Sequence, residues 1–211
     1  MKLTRADKYA IQNQDHNYLL NKGVHYYNEQ EYEIAVEYYH LAASMGSSRA
    51  VCNLGYCYMY GRGIPADTSI SLSYFRIAAD QSDVEALYKL GKLYCTGFGV
   101  EMDKELGVYY YENALEELQE NYTPMEYLDY PALFHAMAME MLPEGGMEED
   151  KKTSYKYLLI ASMGYAYALE KGASYYREAN EEVSEKMDDP MFDEVREKAR
   201  KEFEEEFLAN E

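Results

Sequence analysis

The residues of this chain best suited to chemistry are hydrogen-bond donors that recur at a fixed distance. Arg49, Asn53, Tyr56 and Tyr60 fall in a narrow arc if their segment is helical, because residues three, four and seven apart share a helix face. The corresponding places hold Glu85, Lys89, Lys92 and Thr96 further on, and Asn17, Asn21, Val24 and Asn28 before them. His135 follows in a later segment. Side by side, Asn21, Asn53, Lys89 and His135 make a polar ladder with Arg49 and Lys92 beside it. Cys52, Tyr88 and Phe134 make an apolar floor next to that ladder. Cations and amides in this arrangement suit the holding of a carboxylate or an extended segment. Covalent or metal chemistry finds no comparable support. The four histidines, His16, His25, His40 and His135, lie in different segments. Cys52, Cys57 and Cys95 make neither a disulfide framework nor a metal cluster. The Gly61-x-Gly63 and Gly97-x-Gly99 turns lack the strand and the Lys-Ser/Thr of a phosphate cradle. No catalytic residue, cofactor or metal is expected.

The elements that position these residues repeat. Residues 49–58 align with 85–94 in the frame Ala-x3-Leu-Gly-x2-Tyr: Ala50, Leu54, Gly55 and Tyr58 against Ala86, Leu90, Gly91 and Tyr94. Each copy runs into its glycine turn and then an aspartate, Asp67 or Asp103, placed to cap a second helix. That helix holds Tyr74, Ala78 and Ala79 in one copy and Tyr110, Ala114 and Leu115 in the other. Upstream, Gly23, Tyr26, Tyr38, Ala42 and Ala43 repeat the pattern with a turn four residues shorter. Downstream, Ala132 and Ala161 take the places of Ala50 and Ala79. Met137 replaces the Gly, Glu140 replaces the Tyr, and Gly145 stands for Gly63. The string Ala-Ser-Met-Gly at 43–46 and 161–164 is expected to close the second helix in both units, and 166–187 reads as one long helix. Small residues let paired helices approach, and Tyr58 is expected to fill the gap between neighbouring units.

The pattern Ala-x3-Leu-Gly-x2-Tyr-x2-Gly-x-Gly-[Ile/Val]-x2-Asp resembles the Sel1-like repeat, a member of the tetratricopeptide-repeat superfamily with a longer inter-helix turn. Residues 49–115 carry it nearly in full, and 17–48 and 131–165 with departures. The resemblance implies an all-α fold, a right-handed α/α superhelix of about five helix-turn-helix repeats forming one domain over residues 1–211. Its units are about 17–48, 49–84, 85–120, 131–165 and 166–187, with a capping helix at about 190–208 bearing Phe192, Val195, Ala199, Phe203 and Phe207. First helices line the concave side in such folds, which makes Asn21, Arg49, Asn53, Tyr56, Tyr60, Tyr88, Lys89, Lys92 and His135 the candidate groove. The implied role is a scaffold that binds a protein or peptide.

Composition sets the remaining bounds. With 20 basic and 39 acidic residues the net charge is −19, which repels nucleic acid and anionic lipid. No run approaches the ~18 apolar residues of a membrane span, and the N-terminus lacks the apolar run of a secretory signal. A cytoplasmic protein, monomeric or weakly dimeric, is expected. An acidic inhibitor or decoy occupying a basic site elsewhere, or a regulatory subunit of an enzyme, is the alternative. The tyrosine-rich insert 119–130 either carries specificity or folds back on its own helices.

Overall fold

The computed structural model describes residues 2–142 and 150–208, and every regular element among them is helical. The expected turn at Pro143–Gly146, Gly145 with it, lies outside the described residues. The chain forms two compact units: one runs to Leu93 and includes Gly97–Glu101, the other holds Tyr94–Thr96 and everything from Met102. The first contains α1 (Arg5–Gln12), α2 (His16–Asn28), α3 (Tyr32–Ala43), α4 (Ser48–Tyr60), α5 (Thr68–Ala79) and most of α6 (Val84–Thr96). The second contains α7 (Lys104–Asn121), a 3-10 helix (Pro124–Asp129), α8 (Pro131–Glu140), α9 (Lys151–Glu170), α10 (Arg177–Met187) and α11 (Arg196–Phe203).

One turn recurs wherever helices are joined tightly. The N–H groups of Asp15, Glu31, Ser47, Asp83 and Ala173 return to the carbonyls of Ala10, Tyr26, Ala42, Ala78 and Ala168 at 2.9–3.2 Å. The residue before each is left-handed: Gln14, Gln30, Gly46, Ser82 and Gly172, with φ between 54° and 93°. This is the Schellman closure of a helix C-terminus. The first hairpin uses it between α2 and α3, which is why that unit is shorter. It also reveals α1, an element the repeat frame does not predict: α1 enters α2 as α3 enters α4. It takes the place that the end of a second helix takes in the later units. In this register Ala10 stands at the place of Ala42 and Ala78, all buried. Asp7 stands where Tyr39 and Phe75 do, and Lys22 where Leu54 and Leu90 do. The two replacements pair: Lys22 Nζ lies 3.0 Å from Asp7, which also accepts from Tyr38 at 3.0 Å and Tyr18 at 3.3 Å.

Within a hairpin, glycine and an aromatic ring are matched. A Cβ on Gly55 would lie 2.8 Å from the Phe75 ring, and one on Gly23 would lie 2.5 Å from that of Tyr39. The repeat tyrosines stack inside their own hairpins, Tyr26 on Tyr38 at 5.5 Å and Tyr58 on Tyr74 at 5.3 Å. Tyr94 and Tyr110 in the second unit do the same at 5.8 Å. Tyr58, expected above to fill the gap between units, stacks on Tyr74 within the hairpin to which it belongs. Gly61 ends α4 in the left-handed region, and a side chain at Gly63 would fall on the backbone of Tyr32.

The hairpin of α8 and α9 follows the same plan one residue out of the expected register. The Ser154 hydroxyl donates to the Ala138 carbonyl at 2.8 Å, as Ser71 does to Gly55 at 2.8 Å. The Asp150 N–H returns to Met141 as that of Asp67 does to Tyr58, and both aspartates cap the second helix. Ala138, not Met137, is at the glycine place, Met141, not Glu140, at the tyrosine place, and Leu133, not Ala132, at the place of Ala50. Met137 takes the buried place of Leu54.

Two helix boundaries also differ from expectation. Residues 161–164 lie inside α9, where a Cβ on Gly164 would sit 2.6 Å from the Leu128 carbonyl and 3.0 Å from Pro131. Gly164 admits the insert and does not stop the helix. Residues 166–187 are not one helix, because the turn at Gly172 separates α9 from α10. The insert folds back on its own unit: its 3-10 helix packs on α9, Tyr130 is buried and Tyr127 stacks on Phe134 at 5.6 Å. The C-terminal cap buries Phe192, Ala199, Phe203 and Phe207, while Val195 is half-buried.

Candidate functional site

The first unit brings most of the expected groove residues together on α4 and α6, but not as a row of solvated cations. Arg49 on α4 turns to the N-terminus of α6, its Nε 3.4 Å from Asp83. Asp83 is buried and also caps α6 through the Ala86 N–H at 3.0 Å. Beneath it Cys52 is fully enclosed, and burial pushes its thiol well above the usual range, with Asp83 and Glu85 adding to the shift. One turn along, the Tyr56 hydroxyl donates to Glu85. The Tyr56 ring meets Phe75 edge-on at 5.3 Å and stacks with Tyr60 at 6.2 Å. Tyr60 is 53% exposed, and the Arg62 guanidinium stands 5.4 Å from its ring.

Lys89 lies at the centre of this face. It is only 9% exposed, with Nζ 4.6 Å from the Tyr56 ring centroid and 5.7 Å from that of Tyr88. Tyr88 itself is buried, as is Cys52, while Phe134, expected beside them, lies in the second unit. Burial lowers the Lys89 pKa; Glu85 works against that and Lys92 adds to it. Lys92 is exposed, Asn53 half-buried and Asn21 exposed on α2. His135 belongs to the second unit, 3.4 Å from the Tyr165 hydroxyl and edge-on to that ring at 6.1 Å. The corrected register gives it the place of Cys52, with Ala136 at the place of Asn53.

The face is thus a tyrosine floor around one sunken ammonium, flanked by an internally paired arginine. Asp83 is its unexpected member, announced in the sequence only as a helix cap, while Glu85 stands in the expected arc and accepts from Tyr56. The chemistry available is recognition. Burial pushes the Cys57 and Cys95 thiols to about 11, and all three cysteines are free and buried, so none supplies a thiolate near neutrality. Among the described residues no group of three His, Cys, Asp or Glu side chains is placed to hold a metal ion.

The repeat boundaries agree with an independent comparison. The sequence model of the Sel1 repeat matches residues 18–47, 48–83 and 84–117, which are the pairs α2–α3, α4–α5 and α6–α7. Residues 18–117 carry three Sel1 repeats. Among solved structures it is similar to a Sel1 repeat protein from Oxalobacter formigenes, with TM-score 0.57 and 24% identity over 72% of this chain and 61% of that one. It is also similar to c5321, a protective antigen present in uropathogenic Escherichia coli strains that displays an SLR fold. There the TM-score is 0.57 and the identity 24%, over 80% of this chain and 35% of that one. These likenesses establish the all-α repeat-superhelix fold class, and the chain spans less than two thirds of either protein. Comparison with curated proteins finds no match. Sel1 repeats generally serve as non-catalytic protein-interaction scaffolds. Among the described residues no helix is long and apolar enough to cross a membrane.

Proposed function

We propose that this Sel1-like chain is an interaction scaffold that holds a segment of a partner protein against the first-helix face of α4 and α6. The observation that carries this reading is the tyrosine floor itself. Tyr56 and Tyr88 flank the Lys89 ammonium, and Tyr60 extends the floor by stacking on Tyr56. Aromatic side chains backed by fixed neighbours lose little entropy on binding, and such anchors dominate protein interfaces. The three free cysteines suit a reducing compartment, and a cytoplasmic location is part of the proposal.

The test is affinity capture from an extract of the native host, comparing the natural chain with a Tyr60→Ala/Lys92→Glu variant. Both substitutions are at exposed positions, so the variant should unfold at the same temperature. A partner retained by the natural chain and lost from the variant is the expected result. Retention of the same proteins by both removes this face from consideration.

A second reading, an acidic decoy for a basic site, has one observation in its favour. Exposed Glu105, Glu112, Glu116 and Glu120 follow one face of α7 with exposed Tyr109 among them. The acidic surface is therefore on α7 as well as in the C-terminal cap. Binding through it should weaken steeply with added salt and survive Tyr60→Ala.

A further inference from the structure

The turn after α4 sets a cation among three aromatic rings. Arg62 follows Gly61, the left-handed residue that ends α4. Its guanidinium carbon lies 5.2 Å from the ring centroid of Tyr27, 5.5 Å from that of Tyr32 and 5.4 Å from that of Tyr60. The Tyr27 and Tyr32 rings meet at 69°, so they are two walls and not one floor. The three rings come from the last turn of α2, the first residue of α3 and the last residue of α4. Two helix C-termini against one N-terminus leave the site on the negative side of the helix dipoles, and exposed Glu29, Glu31 and Glu33 lie along the turn from α2 into α3. Arg62 nevertheless pairs with no carboxylate among the described residues; its acceptor there is the Tyr27 hydroxyl.

The backbone that carries Arg62 is fixed. Its N–H returns to the Cys57 carbonyl at 2.9 Å, and Gly63 is pressed against the backbone of Tyr32. The side chain is held by ring faces and one hydrogen bond, beside a Tyr60 that is exposed, so it can leave by rotation alone.

We propose that Tyr27, Tyr32 and Tyr60 form a cage for a guanidinium carried by a basic partner segment, and that Arg62 keeps the cage filled until that segment arrives. The site shares only Tyr60 with the α4–α6 face and does not rest on the reading of that face. A guanidinium fits because its plane stacks on ring faces and one N–H meets the Tyr27 hydroxyl, whereas the lysine ammonium is more strongly hydrated and has no plane to stack. The net charge of −19 draws basic segments toward the chain before they dock. An internal occupant lowers the apparent affinity for the incoming one by the fraction of time that the cage stands open.

Labelled glycine-serine peptides bearing three arginines, three lysines or three citrullines, titrated into the full chain and followed by fluorescence anisotropy, test this. Arg62→Ala should bind the arginine peptide at least ~10-fold more tightly than the natural chain does, with a smaller gain for lysine and none for citrulline. Arg62→Ala/Tyr32→Leu has the same charge and lacks one wall, and it should lose the gain. Helical circular dichroism checks that each variant folds, and Arg62→Gln serves if Arg62→Ala does not. Equal affinity of the natural chain and Arg62→Ala for the arginine peptide overturns the inference. So does a gain that Tyr32→Leu leaves in place, or one that the lysine peptide shares in full. Tyr32 lies outside the α4–α6 face, so these results leave partner capture by that face to its own test.

Discussion

In the α4–α5 hairpin Gly55 lies under the ring of Phe75; in the α8–α9 hairpin the same two places hold Ala138 and Leu158, both fully buried. Their serine-to-carbonyl bonds have the same length. The backbone plan is shared and the filling differs, with a small residue against a large ring in one and two middling side chains in the other. What persists is the summed volume between the helices, because a close-packed interior tolerates neither overlap nor void. The N-terminal end makes the same exchange in another currency. There an aromatic place and a leucine place of the regular repeat become Asp7 and Lys22, an ion pair that is sound only if both members are present.

The largest expected effect breaks that pair. Asp7→Ala leaves the Lys22 ammonium without its carboxylate and should cost about 3 kcal/mol in urea unfolding. Asp7→Leu/Lys22→Leu should recover most of the loss, since an apolar pair of similar volume can replace a buried ion pair. Acid sharpens the point. Burial alone would raise the Asp7 pKa, but hydrogen bonds from Thr4, Lys22 and Tyr38 hold it well below the usual carboxylate range. Its folded pKa is depressed, so its contribution is complete above the unfolded value near about 4 and is lost as the pH falls below that. The natural chain should lose stability relative to the double-leucine variant on acidification, and a constant difference would refute the assignment.

The next effect tests the volume argument. Gly55→Ala forces a methyl against the Phe75 ring and should cost about 2 kcal/mol, while Gly55→Ala/Phe75→Leu, which copies α8–α9, should regain more than half. If the double variant is worse than either single one, the two hairpins are not equivalent. The smallest effect concerns the shared turns. Ser82→Gly relieves a left-handed residue at φ 57° and should raise stability by about 1 kcal/mol. Gly46→Ala, at a turn with open space around the added methyl, should lower it by about the same amount. Unfolding midpoints for the two variants should move in opposite directions.

How far these features show in the sequence depends on whether their cause is local. The glycine turns and the caps Asp67 and Asp103 are local, and the hairpins from α2 to α7 follow from them. Helix α1 has local signals as well, the reciprocal Thr4–Asp7 box and an amphipathic pattern with Ala6, Tyr9 and Ala10 on one side, but a frame that begins at residue 17 passes over it. The fourth hairpin slips by one residue because Ala132 and Ala138 compete for a frame whose glycine is gone. Gly164 resembles a helix stop only until the insert that needs it is in place. The face residues were legible by position and not by state. Nothing near Arg49 in the sequence announces Asp83, and the enclosure of Lys89 arises only when α4 and α6 meet.

Asp7 and Lys22 also fix the direction in which such an array can lengthen. Repeat proteins grow by tandem duplication. A second copy of residues 48–83 inserted after the first would bring Leu54, Gly55 and Phe75 into a setting built for them. A second copy of 16–47 placed inside the array would carry Lys22 to an interior position that Asp7, tethered to α1, cannot reach. The charged pair is a punctuation mark: it lets the chain be extended downstream and forbids the first unit from being copied inward.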